Sequence, residues 1–252
     1  MEKLKLYYPV KPYVLNQGFG LCLATVCDFY KSLGLKGHNG EDMYAPDGTI
    51  VRASHDGVVT FAGEDGAGGL GVVIRTHNKF AYGQTEAYYK TIYWHLKKDS
   101  IVVKVGQSVV VGDVVGLADN TGVSSGSHLH FGLKPVYQGE AEWQWWNAEQ
   151  ENGYKGSIDP SPFWTGEHAE GKYGYAFNKD LQYGDEGADV RALQTILQKL
   201  GMFPATQNVT GFFGRITQDS VKRYQVMRKI AYWYTPGWGR CGPRTRAVLN
   251  VE

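Results

Sequence analysis

GVVIRTH at residues 71–77 and EAYYKTIYWHL at residues 86–96 decide the fold class. In both, Val, Ile, Tyr and Thr alternate or run together, and no helical period of useful length appears. The same texture extends outward. Thr49–Ala53, Gly57–Ala62 and Ser100–Val105 also read as strands, with Asp47-Gly48, Asp56-Gly57, Gly106 and Gly112 as turn points. Strand following strand through residues 45–135 predicts an antiparallel β-sheet or sandwich.

Beyond this stretch the pattern changes twice. Gly139–Tyr154 carries Trp143, Trp145 and Trp146 among glutamates. It reads as an insertion, either a lid packed on the sheet by its own aromatics or a wall of a substrate groove. Residues 165–178 are polar, rich in Gly and Tyr, and read as a linker. From Lys179 a helical period takes over, with Val190, Leu193, Leu197 and Leu200 on one face and Gly201 as a C-cap residue. Gly214-x-x-Thr217-x-x-x-Val221 is echoed by Gly242-x-x-Thr245-x-x-x-Leu249, each Thr placed to N-cap a short helix. The expectation is an α+β protein of two domains: a β-sheet or sandwich domain at 1–164, a linker at 165–178, and a small three-helix bundle at 179–252.

The 252 residues suffice for two modest domains. Net charge is +1, unevenly spread: 11 Lys+Arg against 6 Asp+Glu after residue 178 (+5), and 15 against 19 before it (−4). A basic C-terminal domain suits an anionic polymer, nucleic acid or bacterial wall alike. It lacks an interleaved aromatic and basic groove, which argues against nucleic acid. Cys22, Cys27 and Cys241 make no disulfide framework, Cys22 and Cys27 are not spaced as a C-x-x-C clip, and all three are expected as buried or idle thiols. No stretch is long enough to cross a membrane, and the N-terminus shows no apolar run of signal-peptide length. A monomer made in the cytoplasm, without membrane insertion, is expected.

The candidate chemistry lies in the histidines. His38 and Asp42 stand four apart, a spacing that shares one face in a strand or a helix. His128-Leu129-His130, as a strand, points two imidazoles one way and Leu129 into the core. His95 closes the strand Thr91–Leu96. Two imidazoles and a carboxylate with an open fourth position make a catalytic zinc set, which activates water and polarises a carbonyl. Further histidines beside it can move protons or steady an oxyanion. His55, His77 and His168 read as structural or surface residues.

Taken together, these residues resemble a family. Asn16-Gln17-Gly18-Phe19-Gly20, His38-x-Gly40-x-Asp42, Pro46-x-Gly48-Thr49-x-Val51-x-Ala53, Tyr93-x-His95-Leu96 and Gly126-x-His128-Leu129-His130-Phe131 follow in order. Over residues 9–163 the chain is similar to the lysostaphin-type (LytM-like) zinc endopeptidases of bacterial walls. The resemblance implies Zn2+ ligands His38, Asp42 and His130, and non-ligand catalytic histidines His95 and His128, one helping to deprotonate the attacking water. Gly187-x-Asp189-Val190-x-x-Leu193-Gln194, Thr210-Gly211-x-Phe213-Gly214 and Val221-x-x-Tyr224-Gln225 resemble small helical peptidoglycan-binding domains. The implied function is hydrolysis of peptide bonds in peptidoglycan stems or cross-bridges. The implied setting is a phage endolysin that lyses its host from within. The alternatives are a host wall-remodelling peptidase, a catalytically inactive wall-binding protein, and a zinc hydrolase of another substrate.

Overall fold

The computed structural model describes residues 1–24, 26–141, 144–170, 175, 177 and 179–250. The chain divides into two compact units, Met1–Glu170 and Gly171–Glu252.

In chain order the first unit contains β1 (Leu6–Tyr8), β2 (Leu15–Gln17), β3 (Glu41–Tyr44), β4 (Ile50–Arg52), β5 (Gly57–Asp65), β6 (Gly69–Thr76) and β7 (Phe80–Tyr82). It continues with β8 (Thr85–Trp94), β9 (Ser108–Val109), β10 (Val114–Leu117), β11 (His128–Gln138), β12 (Trp145–Asn147) and β13 (Trp164–His168). One short helix, α1 (Cys27–Ser32), precedes β3. A nine-stranded antiparallel sheet runs β2-β3-β11-β8-β6-β5-β9, with β12 added to β11 and β7 to β8. Two smaller pairs, β4 with β10 and β1 with β13, complete the unit.

The period of two along β11 and β8 divides the sheet into a core face and a working face. Leu129, Phe131 and Leu133 of β11 and Tyr89, Thr91 and Tyr93 of β8 are fully buried on the core face. There they join Met43, Val51, Ile74 and Val115 in one apolar cluster. Phe131 meets Tyr93 edge to face at 5.4 Å, a contact of about 1 kcal/mol beyond its burial. The alternate residues, His128, His130, Gly132 and Lys134, take the other face. Leu129 thus packs inward between two histidines, as the alternation requires.

The structure departs from the sequence reading at several points. Ser100–Val105 is no strand: Val103 is buried and Val102 N–H reaches Val115 C=O at 3.2 Å, but no ladder forms. Gly57 opens β5, as the strand read from Gly57 requires, and a Cβ there would stand 2.3 Å from Arg75 O, so glycine is needed for strand approach rather than only for a turn. The strand before His95 ends at Trp94. Cys22 and Cys27 are joined in a disulfide, contrary to the expectation of free thiols, and Cys241 alone is a free, buried thiol. The stretch expected as a linker begins as β13, because Leu6 and Tyr8 of β1 pair with Trp164 and His168. The Trp-rich segment returns as a hairpin, Trp145–Asn147 pairing Val136–Gln138. Its Trp145 ring packs on Tyr88 at 5.3 Å and under the Arg75 guanidinium at 4.0 Å. Trp143 lies outside the described residues.

His55 is a structural histidine. Its Nε2 lies 2.9 Å from Thr91 Oγ1 and its Nδ1 2.8 Å from Asp56 C=O. Burial pushes its pKa from 6.5 down to about 4. The unfolded chain therefore takes up this proton first. The stability held in neutral His55 is complete above about pH 6.5 and lost as pH falls through about 4. It amounts to about 3 kcal/mol. The His55 ring is expected to titrate near pH 4 by NMR; a midpoint near 6.5 would show a ring open to solvent.

The second unit consists of α2 (Ala188–Lys199), α3 (Arg215–Met227) and α4 (Pro243–Leu249), packed around Leu193, Leu197, Phe213, Val221 and Tyr224. Gly201 ends α2 at φ 71°, the left-handed position of a helix stop. The two threonines of the internal repeat do not cap. The cap positions are Gly214 and Gly242, and each Thr lies inside the first turn. Gln194 Nε2–H donates to Thr217 Oγ1 (2.8 Å) and Phe212 C=O (2.9 Å), while its Oε1 accepts Gly211 N–H (2.8 Å). Gln225 repeats the pattern with Thr245 Oγ1 (2.9 Å), Arg240 C=O (2.9 Å) and Gly239 N–H (2.8 Å). The repeat is therefore a buried glutamine tying each loop to the helix that follows. Among the described residues, no helix is long and apolar enough to cross a membrane.

Candidate metal centre

Three strands assemble the site. His130 of β11 stands opposite Asp42 of β3 on one side and Trp94 of β8 on the other. His38 lies in the bend before β3, in neither a strand nor a helix. It is aimed by the loop that precedes it. Gly20 N–H donates to His38 C=O (2.8 Å), His38 N–H donates to Leu21 C=O (2.9 Å), and His38 Nδ1–H donates to Gly18 C=O (3.2 Å). The last bond leaves a lone pair on Nε2. The Cys22–Cys27 disulfide closes the chain directly after this loop.

His38 Nε2, Asp42 Oδ1 and His130 Nδ1 form a triangle with edges of 3.1, 3.0 and 3.0 Å. The three donor atoms lie close enough together for one ion to reach all of them. The residues present therefore fit a metal ion, and the histidine–carboxylate donor set suits zinc. Gly40 is what permits the approach: a Cβ there would lie 2.5 Å from Phe131 O and 2.8 Å from His130 Cε1. The Asp42 carboxyl is held far below the usual range. Burial opposes its charge, but the imidazoles of His128, His130 and His38 gathered at its oxygen outweigh it. Burial lowers His130.

His95 and His128 flank the triangle, their ring centroids 4.6 Å apart. His95 Nδ1–H donates to Thr121 C=O (2.7 Å) and His128 Nδ1–H to Gly126 C=O (2.7 Å). Each therefore turns its Nε2 toward the site, that of His128 lying 3.5 Å from Asp42 Oδ1. His95 has φ 63°, an uncommon backbone conformation for an L-residue, and it swings the ring out of strand alternation toward the site. Burial pushes His95 down to about 4. In His128 burial works against charge, yet Asp42 prevails and its pKa is raised.

All five expected residues are thus brought together. Sequence reasoning missed Tyr30, whose ring stacks on His38 at 5.7 Å and whose hydroxyl accepts Gln17 Nε2–H at 2.8 Å. No local pattern marks Tyr30; it reaches the site because α1 follows the disulfide loop.

Residues 36–142 match peptidase family M23, and residues 186–249 match a putative peptidoglycan binding domain. Over 96 residues the chain is 44% identical to peptidoglycan DD-endopeptidase ShyA of Vibrio cholerae, spanning 38% of this chain and 20% of that protein. Over 101 residues it is 36% identical to glycyl-glycine endopeptidase ALE-1 of Staphylococcus capitis, spanning 39% of this chain and 25% of ALE-1. The catalytic domain of the antimicrobial peptidase lysostaphin from Staphylococcus simulans is similar at 25% identity and a TM-score of 0.43, over 60% of this chain and 91% of that one. The chain spans only 18–25% of the length of the curated relatives it is compared with. Residues 36–142 of the first unit are therefore similar to peptidase family M23, and residues 186–249 of the second to putative peptidoglycan binding domains.

Proposed function

We propose that this protein is a zinc-dependent endopeptidase that hydrolyses peptide bonds in the stems or cross-bridges of bacterial peptidoglycan. The observation that carries the reading is the triangle of His38, Asp42 and His130 donors, with two further imidazole nitrogens aimed at it. Zinc held there would activate water and polarise the scissile carbonyl. His38 and His130 give neutral donors and Asp42 the negative charge. His95 and His128, anchored at Nδ1, take and return protons and steady the oxyanion through Nε2. Gly18 C=O and the disulfide loop hold His38 in its liganding tautomer.

The second unit would hold the enzyme on its polymer. Its loop Tyr232-Trp233-Tyr234 stands out from the surface, with Trp233 80% exposed and Tyr232 stacked on Tyr234 at 5.8 Å. Exposed ring faces of this kind suit the apolar faces of sugars. The relatives' names point to different bonds, DD in one and glycyl-glycine in the other, so the bond is read by experiment. A lytic role of the phage-endolysin kind is the finer reading, supported by a wall hydrolase joined to a wall-binding domain. The Cys22–Cys27 disulfide favours action outside a reducing cytoplasm, and a host remodelling peptidase shares that feature.

Purified peptidoglycan digested with and without a chelator, and analysed by mass spectrometry, tests the proposal. New peptide amino and carboxyl termini, lost with chelator and restored by zinc, are expected. Bound protein with intact peptides would leave only a wall binder.

A further inference from the structure

The working face of the sheet carries a second feature beside the metal centre. Lys134 of β11 stands opposite Lys90 of β8, and Lys90 stands opposite Arg75 of β6. Three cations thus lie abreast on three adjacent strands, within about 10 Å. All three are partly buried, and no described carboxylate comes within salt-bridge distance of any of them. Arg75 Nε is buried without a hydrogen-bond partner. Burial, and then the like charge of their neighbours, pushes Lys90 and Lys134 below the ordinary lysine range. Like charges placed directly opposite across strands cost stability. Stacking of Arg75 on Trp145 and Tyr88 offsets part of that cost, but no described carboxylate pairs with Lys90 or Lys134.

The row shares its face with the metal centre. His130 and Lys134 are four residues apart on one unbroken strand, so both side chains leave the same side of the sheet. The separation along β11 is about 13 Å. Gly132 and Ile92 lie between them. Beyond the row, Trp145 and Tyr88 stand together as an end wall, with Arg75 stacked on Trp145. Stacking occupies one face of the guanidinium and leaves its edge for an anion.

We propose that Lys134, Lys90 and Arg75 form an anion subsite that takes a free carboxylate of the substrate peptide. Resting on the peptidase reading above, the subsite accepts a carboxylate about four extended residues from the scissile bond, since 13 Å is about that length of chain. It would set which stretch of wall peptide is cut, because a peptide lacking the carboxylate leaves three cations uncompensated. The shared face and this spacing favour a carboxylate on the peptide over a phosphate of a separate wall polymer.

The test measures binding apart from cleavage. Soluble stem peptides with free carboxyls, and the same peptides with those carboxyls amidated, are titrated calorimetrically into the full zinc-loaded protein and into Lys90→Met, Lys134→Met and the double variant. Free carboxyls are expected to tighten wild-type binding about 10- to 100-fold. Raised salt should narrow the gap, and the double variant should abolish it. Thermal midpoints of the variants should equal or exceed that of wild type, because a repulsive pair is gone. Where the peptides are cleaved, the variants' loss should fall in KM rather than kcat. Equal affinity for free and amidated peptides, or the same preference in the double variant, would overturn the subsite. Inorganic phosphate binding at this row without any effect of amidation would likewise overturn it, in favour of a phosphate polymer. Carboxylate-dependent binding without cleavage would sink the peptidase reading and leave the subsite standing.

Discussion

Asp42→Ala is expected to abolish peptidoglycan cleavage and zinc retention together while leaving the fold in place. Asp42 supplies the one anionic donor of the triangle, and Oδ1 lies 3.0 Å from His130 Nδ1 and 3.1 Å from His38 Nε2. Without it, two neutral imidazoles face a divalent ion, and affinity falls by more than the roughly 100-fold cost of losing an outer partner. Loss of the ion removes several kcal/mol of transition-state stabilisation, about a thousandfold or more in rate. The fold should survive because β3 is held by its neighbours: Met43 and Ala45 are buried in the core, and Leu129 and Phe131 pair across from Met43 and Glu41. Zinc content by mass spectrometry, thermal midpoint and release of new termini check the three parts of the prediction. Full residual activity in Asp42→Ala would defeat the metal assignment.

What could be read in the sequence was whatever depends on local repetition. The period of two in residues 86–96 places Tyr89, Thr91 and Tyr93 in the core and Trp94 on the other face, and β8 runs that way. His128-Leu129-His130 follows the same rule. His38-x-Gly40-x-Asp42 could be marked as a ligand pair, but not explained. The role of Gly40 appears only when β11 is laid against β3 and the His130 ring fills the space a Cβ would take. Lateral pairing is long-range information, and residues 42 and 130 share no local pattern. The disulfide escaped for a related reason: an odd number of cysteines, and a spacing typical of neither a redox clip nor a metal knuckle, gave no sign that Cys22 and Cys27 close the loop aiming His38. Ser100–Val105 misled in the opposite direction. It has the composition of a strand and runs beside β10, but it makes only the isolated bond from Val102 N–H to Val115 C=O, and composition alone does not make a ladder. The cation row is the clearest case. Arg75, Lys90 and Lys134 are unremarkable in sequence and become a site only through the register of three strands.

The same dependence on geometry separates the two flanking histidines from the ligands. His95→Ala and His128→Ala are each expected to lower kcat about 10²- to 10⁴-fold while zinc content stays at one ion per chain. Neither ring supplies an edge of the donor triangle, so neither substitution opens it. What each removes is an Nε2 held in place by its own Nδ1–H bond to a carbonyl, of Thr121 for His95 and of Gly126 for His128. The backbone invests in that placement: His95 adopts φ 63°, and Thr121 Oγ1–H donates to Leu96 C=O at 2.7 Å beside it. A structural role would cost stability and be indifferent to added imidazole. A proton-transfer role leaves a hole beside the reacting bond that free imidazole can enter, so partial rescue of kcat by imidazole is expected in one or both variants. The double variant should lose little more than the worse single one, because groups that serve one step act as a unit. Strictly multiplicative losses would show two independent tasks, and loss of zinc in either variant would move that histidine from the chemistry into the metal shell.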